Sequence, residues 1–581
     1  MTADLPIDAL VLVNSASSGY LDGQNYVLPY LDHFGLPYLT VNLLHTPLPQ
    51  DVANYPLIII AHHELDPRDT VLGSRDRQAL INAVAAGSGL VSFDPYFTPL
   101  STPGPTIKAP RLEFAACPHY IVARHAPGEI VDLVEPMTMA TFSQPHDSVL
   151  ISVDDWPLLS VSTLGRGRVV QWATNAWMRS SILGPLAGLD DVVWRGLVWA
   201  ARKPFVLRGL PPLVAMRVDD VAGWGELYEQ SPLYWVRVAN RYGFKPWLGL
   251  FISNFTDLAV TELRGLIQQG QATAFPHALG RPPRSPEDSF PYYANMLSHR
   301  APDGDEFIYF DHVRRRPWSD DEALRRLIAV DQWYGKHAPL PMSTYMVAHW
   351  TEIGHNVVGY IQDRWGIEFV GAIMDVNLPF AGSSSWLMAG PFRRYEAAGT
   401  AAHDPALRGQ RSVYYADFVN LGGRQFFDCV TEIRDVVGYE WAPDNDPTGT
   451  IDRAVRQLRR ALDSMALAVL FTHETDYIYR ILPEVWEQEL ARITEEIAEY
   501  QPIYVTLDEG VQYVRASRTA KLQSGRYNPS TGEVMAVFTG YADVPTQFFL
   551  FTASGEEINI TSETVPPFIG EAAITVKLPR V

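Results

Sequence analysis

Over the first 205 residues the apolar positions follow two alternating rhythms. "DALVLVNS", "PLIIIAHH" and "GLVSFDP" are short continuous apolar runs, the pattern of strands buried on both faces. Between them, "GQNYVLPYLDHFG" and "RDRQALINAVAAGSG" carry apolar residues at helical spacing, the first ending at Gly35. "GRGRVVQWAT" and "LDDVVWRGLVWAARKP" then add a last strand and helix. Strands alternating with helices in this way predict a parallel sheet covered on both faces.

The rhythm breaks at "LRGLPPL" (207–213), a Pro- and Gly-containing joint, and resumes with long irregular insertions to about 520. Beyond that point "GEVMAVFTGY", "TQFFLFTAS" and "AAITVKL" are short strands between Pro, Gly, Ser and Thr turns, predicting a small β-sandwich. Three domains follow: 1–205, 206–520 and 521–581. No internal repeat and no low-complexity tract is present.

Composition narrows the function classes. Hydrophobic residues make up 47% and charged residues 19%, as in ordinary globular chains. A formal net charge of −20 argues against nucleic acid or an anionic membrane surface as partner, since both require a basic face. The two cysteines, Cys117 and Cys429, build no disulfide framework or zinc cluster, and "FAACPHYIVA" around Cys117 reads as a strand. The start, "MTADLPIDALVLVNSASSGY", has neither a basic n-region nor a signal-like apolar segment, and no run approaches a bilayer span. The default expectation is a cytoplasmic protein, or a secreted or periplasmic one if a signal has been removed.

The order of elements in the first domain resembles a class I glutamine-amidotransferase-like (flavodoxin-like) domain. Such amidotransferases carry a nucleophilic Cys at a strand-to-helix elbow; "GLVSFDP" has none, so the domain reads as an accessory. "AHHELDP" offers His62, His63 and Glu64, but an adjacent His pair lacks the one-face spacing of a helical metal motif and reads as a polar strand end.

Candidate chemistry concentrates in the second domain. "LVAMRVDDVAGWG" places Asp219 and Asp220 where an apolar strand leaves the core. The plain reading is a turn, because Asp favours turns and Gly223 follows. The alternative is a site, since neighbouring strand residues point to opposite sides and could divide two tasks. "KPWLGLFISNF" is the next strand, and "TDLAVTELRGLIQQG" a helix capped by Thr256 and stopped at Gly270. "AFPHALG" puts His277 at a strand end, and "DEFIYFDHV" puts His312 after the strand-like "FIYF" and before a helix capped by Ser319. Later, "LAVLFTHETDY" is an apolar strand ending at His473.

This sequence of elements, from about Pro211 to Ala516, resembles a polysaccharide deacetylase of the carbohydrate esterase family 4 type, and so implies a distorted (β/α) barrel. Carried over by position, the resemblance makes Asp219 the catalytic base and Asp220, His277 and His312 the metal ligands. It makes His473 the proton donor and Asp375, in "WGIEFVGAIMDVN", the carboxylate that tunes it. Two departures stand out. His277 and His312 are 35 residues apart rather than a single turn, and the family's Arg motif is not visible. "STYMVAHWTEIGHN" occupies its place, with His349 and His355 as polar candidates, and Arg217 is the candidate substitute beside Asp219. Among the aromatics, Trp386 in the Gly/Ser-rich insertion 377–399 is the expected sugar contact, joined by Arg217 and His349 as substrate-binding candidates.

One carboxylate and two imidazoles suit Zn²⁺, with Co²⁺ or Ni²⁺ acceptable to the same donors. The implied activity is metal-dependent removal of N-acetyl groups from an amino-sugar-containing poly- or oligosaccharide. The rival readings are an amidohydrolase acting on a non-sugar amide, a glycosidase with paired carboxylates, and a carbohydrate-binding protein that has lost activity.

Overall fold

The computed structural model describes residues 4–67, 70–97, 102–143, 148–184, 187–225, 229–280, 306–371, 416–429, 446–475 and 477–578. The chain divides into two compact units, one of 1–211 with 463–465 and 516–581, the other of 212–462 with 466–515. Both are mixed α/β. Among the described residues, no helix is long and apolar enough to cross a membrane.

In the first unit the apolar runs form the expected strands. Ala9–Val13, Tyr38–Asn42, Leu57–Ile60, Gly89–Ser92 and Gly167–Trp172 lie parallel in the order 2-1-3-4-5 of a doubly wound sheet. Four antiparallel strands, Trp156–Leu164, Ser148–Val153, Thr102–Phe114 and Ile130–Ser143, extend it to nine. The central runs "ALVLV" and "LIII" are buried throughout, as strands covered on both faces require. His62 is fully buried; its Nδ1–H donates to the His63 carbonyl and its Nε2 accepts from Asn14 N at 2.9 Å, a structural role. Cys117 lies in an exposed loop after Thr102–Phe114, not in a strand.

The terminal strands do not stand apart from this unit. Ala520–Asn528, Glu533–Ala542 and Phe568–Lys577 form one antiparallel sheet, and Thr546–Ser554 and Glu557–Val565 belong to another. Leu5–Pro6 adds to the edge of the first and Phe205–Leu207 to the edge of the second. One apolar core joins them, with Ile7 and Val206 packed among Leu522, Val534, Phe538, Phe548 and Leu550. Two short early strands thus cover edges that the later strands would leave open.

In the second unit Leu213–Val221 is central to a parallel sheet. Pro246–Phe251 and then Thr273–Ala278 lie on one side, and Ala468–His473 on the other, with Ile503–Tyr504 also pairing to Leu213 and Val214. Tyr345–Met346, Phe369–Val370, Arg424–Cys429 and Ala416–Leu421 form a second sheet. Ser343 N donates to Ala274 O at 2.8 Å, which brings the second sheet to the edge strand of the first. The helices follow their predicted caps. Thr256 accepts from Ala259 N ahead of Asp257–Gln268, and Ser319 from Glu322 N ahead of Asp320–Lys336. The first of these helices stops at Gly270, whose φ of +66° is left-handed.

"FIYF" is not a strand. Residues 307–310 are all buried but run as irregular chain, closed by an isolated bridge between Asp311 and Arg316. Burial on every side makes an irregular segment as apolar as a strand, so the run alone does not distinguish them.

Candidate metal centre

Parallel strands deliver several chemistry-bearing side chains to one end of the sheet, the carboxyl ends where open α/β sheets bind ligands. Asp219 and Asp220 come from the end of Leu213–Val221, His277 from the end of Thr273–Ala278, and His473 is the last residue of Ala468–His473. His473 pairs directly with Asp219 in the parallel register. His349 opens the short 3₁₀ turn His349–Thr351 that follows Tyr345–Met346.

A regular strand would turn Asp219 and Asp220 to opposite faces. Here the pairing with Pro246–Phe251 shifts register between Val218 and Val221, and Asp220 has a left-handed φ of +56°. Both carboxylates consequently reach one imidazole: His277 Nε2 is 3.4 Å from Asp220 Oδ1 and 3.7 Å from Asp219 Oδ2. His277 Nδ1 is 2.8 Å from the Val347 carbonyl, which can only accept, so Nδ1 carries a proton there and Nε2 is the ring atom turned to the carboxylates. Gly249 on the neighbouring strand makes room for this ring, since a Cβ there would stand 3.1 Å from His277 Cγ.

His349 completes the group. Its Nδ1 lies 3.2 Å from Asp220 Oδ1, and its Nε2 lies 3.3 Å from Oε1 of the buried Glu306. One donor atom each from Asp220, His277 and His349 falls within a mutual 4.8 Å, and all three residues are buried. Arg217 grips Asp219 from the same strand with two bonds, Nε to Oδ1 at 2.8 Å and a guanidinium NH₂ to Oδ2, while its plane lies over Phe471.

The electrostatics call for positive charge. Burial pushes Asp219 up, but the Arg217 guanidinium outweighs it and holds the carboxyl below its usual range. Burial likewise opposes charge on Asp220, yet His349 and His277 hold it well below that range. His349 is driven the other way, because Asp220 and Glu306 outweigh the burial that would strip its proton. Asp220 Oδ1, both oxygens of Glu306 and His349 Nε2 are buried, and among the described residues none of them makes a well-formed hydrogen bond. Buried polar atoms left this way are costly. A divalent cation among one carboxylate and two imidazoles would satisfy Asp220 and neutralise the excess acid, and this donor set suits zinc. The residues fit the group.

His312 stands outside the cluster. Its Nδ1–H donates to Glu352 Oε2 at 2.7 Å, and its ring stacks on Phe307 with centroids 4.7 Å apart, close to Trp350. His349, rather than His312 as the deacetylase resemblance implied, is the imidazole that joins Asp220 and His277. His355 is exposed. Asp375 and Trp386 lie outside the described residues. Glu306 and Glu474 escaped the sequence reading; the only signal for either is adjacency, Glu306 preceding "FIYF" and Glu474 following His473.

Comparisons add little to this geometry. No family model matches the chain, and no curated protein matches it. Among solved structures, a cytoplasmic protein from Salmonella typhimurium LT2 aligns at 15% identity over 29% of this chain and 87% of its own, with a TM-score of 0.22. A beta-galactosidase from Bacillus circulans sp. alkalophilus aligns at 10% identity over 35% of this chain and 33% of its own, with a TM-score of 0.22. An exo-beta-1,4-mannosidase from Opitutaceae bacterium strain TAV5 aligns at 12% identity over 30% of this chain and 32% of its own, with a TM-score of 0.20. The chain thus spans about a third of the length of these two glycosidases. At such scores none of them bears on the site.

Proposed function

We propose that the second unit is a distorted (β/α) barrel of polysaccharide-deacetylase type that removes N-acetyl groups from an amino-sugar-containing glycan. One observation carries the reading: the buried Asp220–His277–His349 group, whose Asp220 Oδ1 finds no well-formed hydrogen bond among the described residues, beside a separately held Asp219. Asp220, His277 and His349 would hold a divalent cation. When bound, such an ion polarises an amide carbonyl and makes water more acidic.

The chain's own residues divide the remaining work. Arg217 keeps Asp219 ionised and oriented, so its carboxylate is ready to take a proton from the attacking water. His473, opposite Asp219 on the adjacent strand, is placed to return a proton to the departing amine. His277 is held in one tautomer by the Val347 carbonyl, and Glu306 backs the far nitrogen of His349. The test is a metal analysis of the purified chain joined to acetate release from N-acetylated oligosaccharides. A stoichiometric divalent ion with metal-dependent acetate release is expected. Protein that neither retains nor responds to Zn²⁺ or Co²⁺ overturns the reading.

A further inference from the structure

Glu474 is buried beside the candidate proton donor, and no step of the proposed reaction uses it. Its main-chain N–H donates to the Asp219 carbonyl at 3.0 Å. Its carboxylate meets donors: Oε1 accepts from the Trp235 indole N–H at 2.7 Å, Oε2 accepts from the main-chain N–H groups of Ala222 and Gly223, the latter at 3.0 Å, and the Tyr479 hydroxyl also bonds the carboxylate. The next main-chain N–H, of Trp224, goes to the Tyr479 hydroxyl, and Tyr479 N donates back to the Glu474 carbonyl at 3.0 Å. The three consecutive N–H groups of residues 222–224, which begin one residue beyond the bulged Asp220, are therefore taken up by the 474–479 segment.

From this geometry we infer that Glu474 is a positioning residue for the metal centre: it holds the left-handed turn at Asp220 in ligand geometry by anchoring residues 222 and 223. The inference rests on the metal-site reading proposed above. A non-Gly residue at positive φ is unfavourable by itself, so something must over-determine it. Hydrogen bonds donated by two successive amides to one carboxylate oxygen are strong enough to do so. The position also demands an acceptor at both oxygens. A glutamine has one oxygen and one NH₂, so it must set a donor against either the indole or the two amides.

The test follows from that asymmetry, using the full chain and Zn²⁺ as the probe. Glu474→Gln is expected to weaken Zn²⁺ binding about tenfold or more, the range for lost supporting contacts, and to speed hydrogen exchange at residues 222 and 223. Trp235→Phe alone should change Zn²⁺ affinity little. The Trp235→Phe/Glu474→Gln pair should recover most of the lost affinity, because the amide oxygen can then face Ala222 and Gly223 with no indole N–H opposing its NH₂, and the Tyr479 hydroxyl can rotate to accept. Should Glu474→Gln alone fail to fold, affinity in the pair against Trp235→Phe decides, near-equality supporting the inference. Unchanged Zn²⁺ affinity in Glu474→Gln, or a loss that the pair does not recover, overturns the inference while leaving the metal site standing. A wild-type chain that binds no Zn²⁺ overturns both.

Discussion

Asp219 and Asp220 turn their carboxylates to the same imidazole, His277, at 3.7 and 3.4 Å, although neighbouring residues of a strand ordinarily face apart. The register shift and the left-handed Asp220 produce this convergence. The pair nevertheless keeps two environments, because Arg217 binds Asp219 whereas Asp220 faces His349.

That difference predicts how ligand substitutions sort. Asp220→Ala, His277→Ala and His349→Ala should each lower Zn²⁺ affinity by at least about tenfold. His312→Ala should leave it unchanged, since His312 is engaged with Glu352. Calorimetric titration of the four variants decides between His349 and His312 as the third ligand; a loss confined to His312→Ala would reverse the assignment.

Asp219→Asn should separate chemistry from metal. Zn²⁺ content should persist while acetate release falls on the order of 10²- to 10⁴-fold, as for loss of a general base. The variant should also lose roughly 3 kcal/mol of stability, because the buried Arg217 no longer faces a carboxylate. Turnover near wild type would remove Asp219 from the mechanism.

Zinc affinity should depend on pH through His349. Asp220 and Glu306 favour its protonated form, and an ion must displace that proton. Apparent affinity is therefore expected to rise from pH 6 to pH 8 with proton release on binding, read from calorimetry in buffers of different ionisation heat. The dependence should flatten in Glu306→Gln, which weakens the hold on the proton.

A separate dependence belongs to the first unit. His125 lies 3.3 Å from both Asp191 and Glu129 and stacks on Phe114. Burial opposes its charge, but the two carboxylates win and raise its pKa to about 10. A histidine raised above its unfolded value, about 6.5, contributes stability that is fully present below pH 6.5 and lost as pH climbs toward 10. The denaturation midpoint of the wild type should fall over that window by more than that of His125→Gln. Parallel curves would show that the pair of carboxylates does not hold the proton.

Local pattern was enough to determine the elements that carry the site. The apolar runs ending at Asp219, His277 and His473 are strands because continuous β-branched and aromatic residues bury well on both faces of a parallel sheet, and the Thr256 and Ser319 caps are local hydrogen bonds. What pattern could not decide is which distant residues meet. His312 and His349 each follow an apolar segment, and only the path of irregular chain through 306–312 and 347–352 puts one imidazole against Asp220 and the other against Glu352. The convergence of the Asp pair arises from a register shift, which depends on the neighbouring strand rather than on the residues themselves. The same holds for the strands after 520, whose apolar alternation predicts β-structure but not the pairing with Leu5–Pro6 and Phe205–Leu207, because an open strand edge hydrogen-bonds to whatever backbone the fold brings alongside it.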